Sequence, residues 1–299
     1  MEFRKIQLFV EVVRQQGFAR AAAVACCTQS AVSKAVRQLE DEVGVPLLNR
    51  GGKGGALTAA GEAVYARGLR MLAERDDLLE EIDAIRGIRK GRLSVGIPRI
   101  GSSTLFAPIF ALYRERYPDI DIRLVEHGAD RLREALHTGE VELAASLLPV
   151  SGEYRWHSLR REPLAALVPC GSPLAGGGSV CLADLKDMPF ILFAEGFSLN
   201  RIIVDACRRS GFEPRVVARS SQIRFICELV AAGLGVAFLP RMVAERRRVP
   251  GLDILPLAEE HTDWHTAVIW REGTFLSHAA AAWLEVVREL YPGGREGVS

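Results

Sequence analysis

The chain has 299 residues, of which 48% are hydrophobic and 25% charged. That is the make-up of an ordinary globular protein, with room for one large domain or two to three smaller ones. The formal net charge is +1 at pH 7, so the overall balance offers no argument for a nucleic-acid partner.

The N-terminal stretch MEFRKIQLFVEVVRQQG is charged early and amphipathic. It lacks the apolar run and small-residue cleavage site of a signal peptide. No stretch of the chain reaches the roughly 18 uninterrupted apolar residues of a membrane span. A cytoplasmic location with no membrane partner is expected. Ile6, Phe9, Val10 and Val13 recur at helical spacing, and Gly17 ends that helix. A short Ala-rich helix follows over about residues 19–25. Thr28 then stands where a hydroxyl can accept from a free first-turn N–H and cap a third helix, which Gly44 stops. Its buried stripe is Val32, Val36, Leu39 and Val43. The opposite face carries Gln29, Ser30, Ser33, Lys34, Arg37 and Gln38, where a solvated face more often carries Glu and Lys. After Pro46, two short apolar pieces flank GGKGG and read as a β-hairpin with a Gly-rich tip.

Three helices followed by a hairpin is the layout of a winged helix-turn-helix, whose recognition helix enters the major groove. Gln can pair with adenine, Ser can bond to several bases, and Lys or Arg can reach guanine or phosphate. Thr28, Gln29, Ser30, Ser33, Lys34 and Arg37 are therefore the expected DNA-binding residues. Gln29 and Ser33 are assigned to base edges, and Arg50 and Lys53 on the hairpin to the DNA backbone. On spacing alone, a solvated helix face is the competing reading. Through residue 60, eight basic side chains stand against five acidic ones, a small local excess.

Specific strings add to this pattern: Ala21 and Ala22, TQSAVSKAVRQLE from Thr28 to Glu40, PLLNR from Pro46 to Arg50, and LTAAG from Leu57 to Gly61. The first sixty or so residues resemble the LysR-type transcriptional regulators. The later regions resemble the same family, so the likeness covers essentially the whole chain. The sequence departs from the usual family pattern at Ala25, Cys27 and Leu48, and its hairpin offers Lys53 among glycines where several arginines are common. The resemblance implies double-stranded promoter DNA as a partner, a small-molecule effector, a dimerising linker helix and a homotetramer built as a dimer of dimers. RNA polymerase is a further partner open to such a regulator.

Thr58 can cap a helix that continues without Pro to about Ile88. Val64, Met71, Leu78 and Ile85 repeat every seven residues, and Tyr65, Leu72, Leu79 and Ile82 widen the stripe. A lone helix with one apolar seam is not stable in water, so it needs a partner. That partner is either its own domain or a second subunit in a coiled-coil-like seam. Val64, Met71, Leu78, Ile82 and Ile85 are the expected dimer seam. A two-fold dimer reads two half-sites, so a roughly palindromic DNA target follows.

From Gly91 onward strands and helices alternate. GRLSVGIP, DIRLVE and VELAASLL read as strands separated by helices over about 104–117 and 130–138. A second set runs through PLAALVP, PFILFAE, RVVA and GVAFLP, with helices over about 200–209 and 221–232. WHTAVIW returns as a strand and SHAAAAWLEVVREL is a last amphipathic helix. Such alternation implies a parallel sheet with right-handed crossovers. The late return implies two lobes, which resemble the family's effector-binding domain and periplasmic solute-binding proteins. The overall expectation is an α/β chain: a winged helix-turn-helix at 1–57, a linker helix at 58–90 and an effector domain at 91–299. Within that domain, lobe I is 91–163 with 267–299 and lobe II is 164–266.

Ligands of open α/β sheets bind beyond the carboxyl ends of the strands. Here those loops are PRIGSSTL, EHGAD and AEGFSLNR, and helix N-termini beside them favour an anion. Arg99, Ser102, Ser103, Thr104, His127, Gly128, Phe197, Ser198 and Arg201 are the expected effector contacts, and the effector is expected to be a small carboxylate or similar anion bound between the two lobes. The six histidines form no metal pattern, and there is no nucleophile elbow or P-loop. The chain is read as neither an enzyme nor a metal or cofactor carrier. A transport solute-binding protein is the second reading, against which the N-terminal helices count. The six cysteines show no C-x-x-C pair and read as buried thiols, with Cys207 the first candidate for a redox switch.

Overall fold

Four helices and the base of a hairpin form the N-terminal part of the chain. In the computed structural model the helices are α1 (Phe3–Arg14), α2 (Phe18–Val24), α3 (Gln29–Val43) and α4 (Ala59–Ile85). The structure describes residues 2–49, 56–85, 91–150, 152–174, 178–247, 249–294 and 296–298. α3 is capped as its sequence implies. Thr28 Oγ1 accepts from the Ala31 N–H at 3.2 Å, and Gly44 closes the helix in the left-handed region at φ 78°. Phe9, Val12, Ala21, Val32, Leu39 and Leu47 are fully buried and form the centre of a small core. Each large apolar side chain buried this way contributes about 1.5–3 kcal/mol. Ala21 and Ala22 give α2 a small face that lets it lie close to its neighbours. Val43, placed on the buried stripe by spacing, is exposed because Gly44 turns the chain away at that point.

The hairpin is anchored at its base. Leu48 and Leu57 form an antiparallel bridge, and the Asn49 N–H donates to the Ala56 carbonyl at 2.8 Å. Its tip, including Arg50 and Lys53, lies outside the described residues. Thr58 Oγ1 donates to the Pro46 carbonyl at 2.8 Å and accepts from the Gly61 N–H at 3.0 Å, so one hydroxyl ties the hairpin to α4. Gly61 is required there, since a Cβ would overlap the Leu47 carbonyl oxygen.

The second unit runs in order through β1 (Gly91–Pro98), α5 (Ser102–Arg116), β2 (Ile120–His127), α6 (Ala129–His137), β3 (Leu143–Leu147), β4 (Tyr154–Glu162) and β5 (Leu164–Pro169). It continues through α7 (Leu182–Leu185), β6 (Phe190–Phe193), α8 (Ser198–Arg209), β7 (Val216–Ser220), α9 (Ile223–Ala231), β8 (Ala237–Pro240), α10 (Arg241–Glu245) and β9 (Leu252–Pro256). β10 (Trp264–Arg271), α11 (His278–Leu290) and β11 (Glu296–Val298) complete it. β11, β4, β10, β3, β1 and β2 form one six-stranded sheet in that order. β8, β5 and β9 form a second sheet, and β6 pairs with β7.

The first sheet is mixed, not wholly parallel as the alternation implied. β1 runs parallel to β2 and β3, but β10 is antiparallel to both β3 and β4. β10 enters the sheet at the end where β3 leaves it, so it runs back against β3; β4, on its other side, is hidden from a hydropathy reading because its buried positions include His157 and Glu162 beside Tyr154 and Leu159. The polar pair is accommodated by partners. Glu162 accepts from the Met242 N–H at 2.8 Å and from Arg160 Nε at 2.8 Å, and His157 Nε2 lies 3.2 Å from the Tyr291 carbonyl. β10 joins the first sheet from Trp264 onward. Trp283 of α11 packs among Phe106 and Phe110 of α5 against this sheet. Among the described residues, no helix is long and apolar enough to cross a membrane.

Candidate functional site

The first site is the outer face of α3. Gln29, Lys34 and Arg37 are exposed and Ser33 is half-buried, while Val32, Val36 and Leu39 point inward. Among the described residues, no hydrogen bond or ion pair engages the side chains of Gln29, Ser33, Lys34 or Arg37. Thr28 and Ser30 differ, because their hydroxyls lie 3.0 Å apart and Thr28 also serves as the cap. The helix therefore presents a row of unengaged amide, hydroxyl and cationic groups, which can hydrogen-bond base edges and phosphates. Glu40, given no role by sequence reasoning, accepts from the Leu47 and Leu48 N–H groups at 2.8 and 3.2 Å and so fixes the hairpin base relative to α3.

The stripe of α4 divides in two. Val64, Tyr65 and Leu72 pack against the N-terminal core, and Leu69 is buried in it. Met71, Leu78, Leu79 and Ile82 are exposed. Phe3 of α1 joins Met71 and Leu78 along one groove that Arg67, Arg70, Glu74 and Arg75 also line, with the Arg75 guanidinium 5.9 Å from the Phe3 ring centroid. The Ile85 side chain lies outside the described residues.

The second site is a cavity beyond the carboxyl ends of β1 and β3. It holds about 410 Å³ of free space, part of it open to solvent. Arg99, His127, Gly128, Phe197 and Ser198 line it, as the loop reading expected. Ser102, Ser103, Thr104 and Arg201 do not line it. The first three belong to the opening turn of α5, and Arg201 is exposed on α8. In their place the walls are Ile100, Ala145, Leu147, Leu199 and Trp264, and the remaining polar positions are Ser146 and Thr266.

Two of the loops that make this cavity are held in place. Gly101 sits at φ 83°, and a Cβ there would lie 2.5 Å from Trp264, so only glycine lets the chain turn under the indole. Asn200, which sequence reasoning missed, locks the turn between β6 and α8. Its Nδ2 donates to the Phe193 and Ala194 carbonyls at 2.9 and 3.0 Å, and its Oδ1 accepts from the Phe193 N–H at 3.0 Å. Phe197 stacks on Phe193 with ring centroids 5.0 Å apart. Phe197, at the cap position of α8, makes no side-chain cap bond. The first-turn N–H groups of Ser198 and Leu199 have no acceptor within their own helix and face an anion favourably.

Residues 3–62 match the model of the bacterial regulatory helix-turn-helix protein, lysR family, and residues 86–292 match the LysR substrate binding domain. The chain belongs to the LysR family of DNA-binding transcriptional regulators. Among relatives of this regulator, the HTH-type transcriptional regulator YwbI of Bacillus subtilis is 32% identical over 95% of each chain. The fold agrees with a full-length OxyR variant from Pseudomonas aeruginosa at a TM-score of 0.78, with 24% identity over 99% of this chain and 98% of that one. Full-length CbnR complexed with its target DNA superposes at a TM-score of 0.68, with 24% identity over 97% of this chain and 100% of that one. Its LysR substrate binding domain implies that this regulator answers to a small molecule.

Proposed function

We propose that this LysR-family regulator binds a roughly palindromic promoter site as a dimer joined through α4, and that a small carboxylate in the cavity beyond β1 and β3 tunes that binding. The working units are the DNA-binding domain at 1–57, the linker helix at 58–90 and the effector domain at 91–299, with the chain returning to the first lobe at Trp264. The unengaged polar face of α3 carries the DNA half of the reading. Gln29 and Ser33 are assigned to base edges, and Lys34 and Arg37 to bases or phosphates. The exposed Met71, Leu78 and Ile82 supply a seam for a second copy, and a two-fold pair of recognition helices requires a two-fold site. The carboxylate reading is supported by the free first-turn N–H groups of α8 and by Arg99 and His127 at the cavity rim.

A footprint on the DNA upstream of the regulator's own gene, taken across a salt series, tests the DNA half. A protected two-fold symmetric site whose affinity falls steeply with salt is expected, because phosphate neutralisation releases counterions. Gln29→Ala should lose about 1–3 kcal/mol of discrimination at one base position in each half-site. An unchanged sequence preference would sink the assignment of that helix face. A second arm asks whether small carboxylates alter the protection.

A further inference from the structure

The side chains that line the cavity divide by polarity. Arg99 and His127, the two that can carry positive charge, are exposed and so stand at its mouth. Ile100, Leu199 and Trp264 are buried and form its inner wall with Leu147 and the ring of Phe197. Ser146 and Thr266 also border it, but their hydroxyl oxygens are wholly buried and out of a ligand's reach.

The strand backbones beside them are engaged as well. Ser146 pairs in register with Ala267, and Thr266 with Leu147, so their N–H and C=O groups are directed within the sheet. The sheet continues past this point, since the Leu148 N–H donates to the His265 carbonyl at 2.9 Å. Pro98, at the end of β1, has no N–H to offer. The free first-turn N–H groups of α8, with the Ser198 hydroxyl beside them, are already assigned to the carboxylate.

Phe197 is a fixed part of the wall. Its ring stacks on that of Phe193 with centroids 5.0 Å apart and planes 19° apart. Phe193 is buried at the end of β6, and Asn200 locks the turn that carries both rings.

Such a cavity discriminates against polarity in the body of its ligand. An inner carboxylate would lose its water without meeting a counter-charge. An inner hydroxyl would lose its water without meeting an accessible side-chain donor or acceptor. A methylene or a ring carbon is stabilised by the same transfer.

We propose that the effector is a monocarboxylic acid whose body is wholly apolar, and that Phe197 enforces the exclusion of hydroxylated acids and diacids. This rests on the reading that a carboxylate occupies this cavity. The test is calorimetry and thermal shift on the full chain with two matched sets. One set is hexanoate, 6-hydroxyhexanoate and adipate. The other is benzoate, para-hydroxybenzoate and terephthalate. Hexanamide and benzamide are included to remove the charge alone. In at least one set the plain acid should bind about tenfold or more tighter than its hydroxylated and dicarboxylate partners, the size of one unanswered buried polar group. Phe197→Ala should shrink that ratio, because water then reaches the body of the ligand. Phe197→Leu, which keeps an apolar wall, should preserve it. If the alanine variant fails to fold, the ratios in the parent protein decide alone. A hydroxylated acid or diacid that binds as tightly as the plain acid in both sets would overturn the proposal and leave the carboxylate reading in place. A ratio undiminished in a folded Phe197→Ala variant would do the same. Amides that bind as tightly as the acids, or no binding by any acid, would remove the carboxylate reading and this proposal with it.

Discussion

Cys207 shows how far one residue's surroundings decide its chemistry. It is fully buried, and burial pushes its thiol up to about 11. Only the thiolate attacks oxidants or alkylating agents, so this thiol is inert at neutral pH and is a poor redox switch. Cys227 is also buried, and burial raises its thiol too. The expectation of buried thiols holds for these two alone, because Cys26 and Cys170 are exposed and Cys27 and Cys181 are half-buried. With iodoacetamide at about pH 8, the native protein should be modified at Cys26 first, while Cys207 and Cys227 react only after denaturation. Rapid native modification of Cys207, located by peptide mapping, would contradict this and restore the switch. Legibility also varied residue by residue. The face of α3 could be read because Gln29, Lys34 and Arg37 alternate with an apolar stripe that names the inside. Ser146 and Thr266 could not be placed, because a single hydroxyl in a run such as VELAASLL does not tell that the strand's end borders a cavity.

At the level of the element, the stripe of α4 is covered over its N-terminal part and exposed beyond it. The helix spans 27 residues, about 40 Å at 1.5 Å per residue. Its N-terminal part is held by Leu69 and Leu72 against its own core, whereas Leu78 is 55% exposed and Ile82 37%. The seven-residue repeat identified the stripe but could not say which residues were already covered, because periodicity reports a shared face and not the partner. Val64, expected on the dimer seam, packs inward, and Phe3, expected nowhere, lies beside Met71 and Leu78. Leu78→Glu removes about 1.5–3 kcal/mol of burial from each chain of a symmetric pair and puts a desolvated charge in its place. Dimer dissociation should rise by about 100-fold or more, seen as a monomer in light scattering at micromolar concentration. Symmetric footprinting should be lost while salt-sensitive non-specific binding remains. A dimer that persists in this variant would place the subunit contact elsewhere. β4 gives the converse lesson, since its buried His157 and Glu162 broke the alternation that revealed the other long strands.

For the effector unit as a whole, the two-lobed order was legible because WHTAVIW reads as a strand long after the second βα series has begun. How the lobes meet was not, because a glycine in a sequence names no neighbour. Gly128, after β2, and Gly196, before α8, approach so closely that a Cβ on Gly128 would lie 2.5 Å from the Gly196 carbonyl oxygen. The obstructing atom is backbone, so no side chain can swing aside, and a larger residue at this point must part the two loops. On the proposed reading, an effector shifts the unit only through its different affinities for closed and parted arrangements of these loops, and this contact would oppose or allow the closure. Gly128→Val should favour the parted arrangement in the absence of any ligand. Trp264 lines the cavity and is 2% exposed, so it reports on that opening directly. Acrylamide should quench the variant's tryptophan fluorescence more steeply than that of the parent, and the added Trp264→Phe substitution should abolish the difference. Unchanged quenching in a variant that melts as the parent does would mean that the loops yield locally and that Gly128 does not control closure.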